Sequence, residues 1–389
     1  MSVPRISQRT ASLSDAGLHM RWDPYVLARE HEFDSFWRDQ IRPGRDGMLF
    51  ILGRGFDIRT LAALRRVIAA GATPHVWLLA FDNGLEDSPA RAAKTDANEA
   101  ELHGLVPAER IQRVPIGIAG TGGATETSRN TRTAIQAAGA VDGYDHVVVD
   151  ISAMPRMVAL TAIAKLLHDL DVVAAGGGNS VNLHVTTAES ITADLGAARG
   201  TLREAVTHVV GFSGRLDAQE TETWPRVWFP ILGEAQKERL DLIRQTIRPD
   251  EICPVIPFPS RQPRRGDEIV GEHREILFDN FQIEPANILL ACEYNPFEAY
   301  KQLFQAMERY RVALKRLGGC KAFISPISSK LLSVGALLAC YDHRSIRTPD
   351  RLLDVGIHYV ETAVYGDPEQ QSNQPFELYS MWIRGDWEA

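Results

Sequence analysis

Three short segments combine glycines, hydroxyl groups and basic side chains in a spacing that suits a phosphate or a nucleotide. The first is Gly53-Arg54-Gly55-Phe56-Asp57, in which two glycines let the backbone approach a ligand closely. The second contains Asp150, Ser152 and Arg156, and the third is Ser328-Ser329-Lys330. Hydroxyl, ammonium and guanidinium groups donate hydrogen bonds to phosphate oxygens, so these segments predict a binding site for an anionic ligand.

Each segment follows a run of apolar residues that is typical of a buried β-strand. Ligands of open parallel sheets bind beyond the carboxyl ends of the strands, where the next helix directs free N–H groups at an anion. Asp82 ends another strand, at about the place where a Rossmann fold holds an acid for ribose hydroxyl groups, and Glu293 and Asn295 follow a further strand. A simpler interpretation stays open for all of these residues, because acids and serines at strand ends also form turns and helix caps.

The sequence identifies no catalytic residue and no metal site. No P-loop and no G-x-S-x-G motif is present, and His184 and His358 have no carboxylate or cysteine at ligand spacing. The four cysteines are widely spaced and predict reduced, packed thiols. Whether the protein is an enzyme therefore remains open at this point.

The arrangement of apolar segments predicts the elements that position these residues. Residues 1–47 are polar and mixed, with one helix expected near 24–41, and form a short helical leader. From Met48 onward, short apolar runs alternate with amphipathic stretches. This alternation predicts an α/β fold with mostly parallel sheets that are covered on both faces.

Similar segments recur in the same order about 180 residues apart. Phe50–Gly53 before an amphipathic helix matches Ile231-Leu232-Gly233 before another, and Ile151-Ser152 matches Ile327-Ser328. The matches predict a tandem duplication of one Rossmann-like unit, with domains at 48–215 and 225–385. Two independent α/β domains are the alternative.

Composition and charge limit the class of protein. The 389 residues are 44% hydrophobic and 24% charged, which is typical of a globular protein with enough material for two or three domains. A net charge of −8 argues against broad binding to nucleic acids. No apolar run is long enough for a membrane span, and the first residues lack the apolar middle of a signal peptide, so we expect no membrane partner and a cytoplasmic location.

The duplicated unit with a hydroxyl-containing loop before an Ala/Leu-rich helix resembles the CRISPR-associated Rossmann-fold (CARF) sensor domains. The segments 150–156 and 325–330 hold the position of that family's Gly-Thr-Lys-type loop, which Ser329-Lys330 approaches most closely. The resemblance implies a nucleotide ligand bound between the two copies, a role in prokaryotic defence, an effector protein as partner and a possible homo-oligomer.

Residues 49–59 also resemble the first motif of class I methyltransferases. Asp82 and the segment 145–151 fall where that family has its second-strand acid and its fourth-strand motif. This competing resemblance implies S-adenosylmethionine as cofactor, bound at Gly53, Gly55 and Asp82. Of the two hypotheses we favour a sensor or scaffold protein that binds a nucleotide or another phosphorylated ligand, with the methyltransferase as the alternative.

Overall fold

A computed structural model describes residues 19–41, 47–82, 84, 86–118, 126–190, 201–345, 352–364 and 375–388. The α-helices in these ranges are α1 His31–Gln40, α2 Ala62–Ala69, α3 Pro89–Leu105, α4 Glu126–Ala138, α5 Arg156–Ala175, α6 Lys237–Ile247, α7 Arg265–Glu272, α8 Pro296–Ala313 and α9 Lys330–Ser345. The β-strands are β1 Val26–Arg29, β2 Met48–Gly53, β3 His75–Asp82, β4 Ile111–Gly117, β5 His146–Asp150, β6 Asn182–Glu189, β7 Thr201–Ser213, β8 Arg226–Ile231, β9 Glu251–Ile252, β10 Val255–Pro257, β11 Leu289–Ala291, β12 Cys320–Pro326, β13 Leu353–Val364 and β14 Glu377–Arg384.

The strands form two seven-stranded sheets with the same internal order. The first sheet runs β1-β14-β6-β5-β2-β3-β4, and its last five strands are parallel. The second runs β11-β10-β8-β12-β13-β7, with β9 beside β8, and its first five strands are parallel. Each set of five has the order of a Rossmann unit, third-second-first-fourth-fifth. The predicted α/β fold with tandem Rossmann-like units is therefore confirmed.

Each half of the chain gives its last strand to the sheet of the other half. Strand β7 follows β6 in the chain but pairs antiparallel with β13, while β14 follows β13 and pairs antiparallel with β6. The predicted segments 48–215 and 225–385 thus hold the parallel strands of the two sheets, but each sheet takes one antiparallel strand from the other segment. Neither segment completes its sheet alone, and the domain boundaries themselves stay a prediction.

Helices α5 and α9 occupy the centre of the molecule between the two sheets. Helix α5 follows β5 and buries twelve of its side chains, because it packs on α4 and α9 as well as on strands of both sheets. Helix α9 follows β12 and packs on α8, α5 and the strands β6, β12 and β13. An almost continuous apolar sequence suits a helix that is covered on every side. The two helices that begin at the predicted ligand-binding loops therefore face the same junction.

The leader is only partly helical in its described portion. Helix α1 begins at His31 rather than near residue 24, and the preceding β1 pairs antiparallel with β14 at the edge of the first sheet. Phe33 and Trp37 of α1 are fully buried. The leader thus covers one sheet and extends its edge.

His358 in β13 makes the stability of the fold depend on pH. The side chain is 3% exposed and packs against the rings of His208 and Phe323, with centroids 5.6 and 5.1 Å away. Burial, together with the charge of His208, lowers the pKa of His358 to about 3. A histidine in the unfolded chain takes up a proton near pH 6.5, whereas native His358 does not, so acidification below that pH favours unfolding.

We expect wild type to lose about 2 kcal/mol of unfolding free energy through His358 between pH 7 and pH 5. His358→Leu removes the titrating group. From pH 7 to pH 5 the unfolding free energy of this variant should therefore fall by about 2 kcal/mol less than that of wild type. Urea denaturation of both proteins at the two pH values measures the difference. Identical pH dependence of the two proteins would contradict the assignment.

Candidate functional site

A cavity of about 230 Å³ lies where four loops from the two halves meet. Segments 54–59 and 152–156 follow β2 and β5 of the first sheet, and segments 233–239 and 327–331 follow β8 and β12 of the second. The last three of these segments run into the starts of α5, α6 and α9. We call this cavity the junction pocket. Its position at the carboxyl ends of the strands is where open α/β sheets bind ligands.

The junction pocket brings together most of the residues that the sequence nominated. Those that line it are Arg54, Gly55, Asp57, Ser152, Arg156, Glu293, Ser328, Ser329 and Lys330. Four nominated residues are not part of its lining, namely Gly53, Asp82, Asp150 and Asn295.

Asp150 lies just below the pocket and serves the fold there. It is 1% exposed, and its carboxylate accepts hydrogen bonds from the Ser152 amide at 3.1 Å and the Thr186 hydroxyl at 2.8 Å. Ser152, two residues further on, lines the pocket instead, and its hydroxyl accepts from the Ala188 amide. Asp150 and Ser152 together fix the end of β5 against β6.

The other three residues outside the lining also have local structural roles. Asp82 is exposed, and its carboxylate accepts a hydrogen bond from the Gly84 amide. It therefore has the turn-forming role that the sequence analysis kept as the simpler interpretation. Asn295 caps α8 by accepting from the Phe297 amide. Gly53 lies within β2, where a Cβ atom would come 2.9 Å from the ring of Phe81.

Two basic side chains cross the junction in opposite directions. Arg156 at the start of α5 donates to the carbonyl oxygens of Pro326 and Ser328 in the second half, the latter at 2.5 Å. Lys330 at the start of α9 donates to the carbonyl oxygen of Ser152 in the first half. The helix-start loops of the two halves are therefore held together by side chains that also line the pocket.

Two buried arginines occupy matching places in the two halves, and the sequence reasoning missed both. Arg59 is 2% exposed and donates to the carbonyl oxygen of Ala188 in β6; Arg239 is 3% exposed and donates to that of Val360 in β13. They are 180 residues apart, which is the shift that relates Gly53 to Gly233. Extending the repeat by six residues beyond the glycines would have identified the pair.

The partners of these arginines differ in charge. Arg59 forms a two-pronged ion pair with Asp57, with nitrogen–oxygen distances of 2.7 to 3.1 Å. Arg239 instead bonds the side-chain oxygen of Gln236 and the hydroxyl of Thr362, the latter at 3.0 Å. Within the described part of the chain, no carboxylate lies at ion-pair distance from Arg239 or from Arg156.

Tyr359 and Ser328 complete the side of the pocket that contains Arg239. The guanidinium groups of Arg156 and Arg239 lie 5.2 and 5.0 Å from the centroid of the Tyr359 ring. The Nε atom of Arg156 and the hydroxyl of Ser328 are buried and make no hydrogen bond to described residues. Buried polar groups normally have partners, so these two atoms mark a place for a further acceptor.

The remaining charges of the pocket are largely compensated. Its described lining contains seven basic and five acidic side chains. Arg265 pairs with Glu234 and Glu293, and Arg54 pairs with Glu99 and Asp96. Of the arginines in the described lining, Arg156 and Arg239 are the two without a carboxylate at ion-pair distance.

Comparisons with known proteins give no family for this chain. No protein-family model and no curated protein matches it. It is similar to the crystal structure of a protein provisionally assigned as a universal stress protein from Pseudomonas aeruginosa UCBPP-PA14, at 11% identity and a TM-score of 0.21. That match covers 80% of this chain and 92% of the other. The fold assignment rests on the strand order and on nothing in this match.

The residues that the structure describes lack both a metal-binding cluster and a membrane-spanning helix. Histidine, cysteine, aspartate and glutamate side chains form no group of three or more there that could hold a metal ion. Among the helices of the same residues, none is both long and apolar enough to cross a membrane.

Asp150 should make the fold less stable when it is ionised. Burial raises its pKa to about 6, and the hydrogen bonds from Thr186 and Ser152 offset this only in part. Asn at this position keeps an acceptor for the Ser152 amide without a buried charge, so we expect Asp150→Asn to raise the unfolding free energy at pH 8 by up to about 3 kcal/mol. The gain should disappear near pH 4, where the carboxyl group of the folded protein is neutral.

Urea denaturation at the two pH values tests this expectation, with the exposed Asp142→Asn as a charge-matched control. A variant at residue 150 that is less stable than wild type at pH 8 would show that the ionised carboxylate is required there.

Proposed function

We propose that this protein binds a phosphorylated small molecule, such as a nucleotide, in the junction pocket and acts as a sensor or scaffold. The observation that supports this most strongly is the environment of Arg239, a guanidinium that is 3% exposed and has only neutral partners. Buried charges are normally paired, because removing an ion from water costs several kcal/mol. An anionic ligand would supply the missing counter-charge.

Arg156 supports an anion at the same place. It starts from the first half, reaches the second half, and leaves its buried Nε atom without a described partner. A phosphate that accepts from both arginines would contact one residue from each half. Ligand binding would then strengthen the contact between the halves, which is how a sensor converts occupancy into a change of structure.

The apolar part of the lining suits a nucleobase or another ring. Phe56 and Phe81 line the pocket on the first half, and Tyr359 lines it on the second. Ligand sites of this kind combine aromatic walls with a few polar groups that fix orientation. We therefore favour a nucleotide over inorganic phosphate alone.

Recognition fits this lining better than catalysis does. The described residues of the pocket include no histidine and no cysteine, and the hydroxyl of Ser152 already accepts from the Ala188 amide. A base next to a free nucleophile, which covalent catalysis requires, is not found among them. A role in prokaryotic defence and an effector partner remain hypotheses from the CARF resemblance.

The methyltransferase alternative needs Gly53, Gly55 and Asp82 around one cofactor. Of these three residues only Gly55 lines the junction pocket. S-adenosylmethionine is nevertheless included in the test, because binding that depends on Gly55 and not on Arg239 would favour that alternative.

Thermal unfolding with mono-, di- and cyclic nucleotides tests the proposal. A specific ligand at a hundredfold excess over its Kd should stabilise the protein by about 2.7 kcal/mol. Arg239→Gln should lose most of this stabilisation, because the amide cannot replace a charged donor. Arg244→Gln removes the same charge from a half-exposed position on the same helix and should retain it.

No stabilisation by any nucleotide, or equal stabilisation of the two variants, would contradict a phosphate site at Arg239.

A further inference from the structure

The matching loops of the two halves carry different charges at one position. Gly53–Arg59 and Gly233–Arg239 align without a gap, and both end in a buried arginine. Asp57 of the first loop, however, corresponds to Lys237 of the second. The pocket has a two-fold arrangement of elements but an unequal distribution of charge.

On the first half, the buried arginine already has its counter-ion. Asp57 pairs with Arg59 through both carboxylate oxygens and also accepts from the Arg59 amide. Burial raises the pKa of Asp57, but the hydrogen bonds and charge of Arg59, with a smaller effect of Lys330, outweigh it and hold that pKa below its usual value. An anion placed here would meet the ionised carboxylate of Asp57 beside Arg59.

On the second half, the residue in place of Asp57 is turned away from the pocket. Lys237 is 56% exposed and pairs with Glu275, and it is not among the residues that line the cavity. Arg239 is left with Gln236 and Thr362, and Arg156 arrives from the first half to join it beside Tyr359. Two guanidinium groups and the buried Ser328 hydroxyl thus converge where no described carboxylate pairs with them.

We propose that the ligand is asymmetric, with its one phosphate on the second half at Arg156, Arg239 and Ser328. Its uncharged ring lies on the first half, where Phe56, Phe81 and Met154 line the pocket. This rests on the proposed phosphate-ligand function and narrows it to phosphomonoesters of the linear mononucleotide type. A cyclic dinucleotide would place its second, equivalent phosphate against Asp57.

Isothermal titration with two kinds of probe tests the asymmetry. The probes are the four ribonucleoside 5′-monophosphates and a cyclic dinucleotide with two equivalent phosphates, cyclic di-AMP. Wild type should bind a monophosphate more tightly than the cyclic dinucleotide, and Arg239→Gln should weaken the monophosphate about tenfold or more, as expected for loss of a charge-assisted hydrogen bond.

Asp57→Asn provides the decisive comparison, because it removes the carboxylate that pairs with Arg59 and leaves an acceptor for the Arg59 amide. This variant should raise the affinity for cyclic di-AMP by about tenfold more than the affinity for the monophosphate, since only the cyclic ligand has a second phosphate to place at Arg59. Asp142→Asn removes an exposed carboxylate at the opposite end of the β5 strand and should leave the ratio of the two affinities unchanged.

Tighter binding of cyclic di-AMP by wild type, or an unchanged affinity ratio in Asp57→Asn, would overturn the asymmetry while the phosphate-ligand function stands. No binding of any probe to wild type would overturn both proposals.

Discussion

The buried guanidinium of Arg239, which has no carboxylate partner among the described residues, sets the chemistry of the junction between the two halves. Its hydrogen bonds to Val360 and Thr362 hold it against β13, and its positive charge is left uncompensated. The matching arginine in the first half has Asp57 and needs nothing more. In the proposed function, this difference is what places the anion on one side of an otherwise repeated site.

The exchange of strands between the sheets keeps that site assembled. Strand β7 from the first half borders β13, and β14 from the second half borders β6, so the strands that support Arg239 and Arg59 are each flanked by the other half of the chain. Arg156 and Lys330 then cross between the helix-start loops. Because the halves share strands, side chains and a core, the proposed ligand would act on a junction that is already formed.

Sequence patterns predicted the alternation of strands and helices and nominated nine residues that line the pocket, because both depend on local order. Strand-end reasoning nominated Ser152, Arg156 and Lys330, which all line the cavity, since a strand followed by a helix places its last residues at the sheet edge. The same reasoning did not show that Ser152 lines the pocket while Asp150 bonds the backbone below it. That difference depends on the conformation of the turn after β5.

Such patterns could not predict the exchange of strands between the sheets or the different partners of Arg59 and Arg239. Nothing local in β7 or β14 specifies which sheet it joins, since antiparallel edge pairing depends on the whole fold. Arg239 and Tyr359 lie far apart in sequence, and their proximity follows only from the packing of α6 on β13. Arg239 alone could have been found, by carrying the 180-residue repeat on to the position that matches Arg59.

Crystals soaked in selenate offer the most direct measurement of the central claim, because the anomalous signal of selenium locates a bound anion whatever the natural ligand is. A single strong peak beside the Arg156 and Arg239 guanidinium groups, where the selenate oxygens can accept their hydrogen bonds, is the predicted result. A pocket without a peak there, or one whose peak lies beside Arg59 instead, would contradict a phosphate site on the second half.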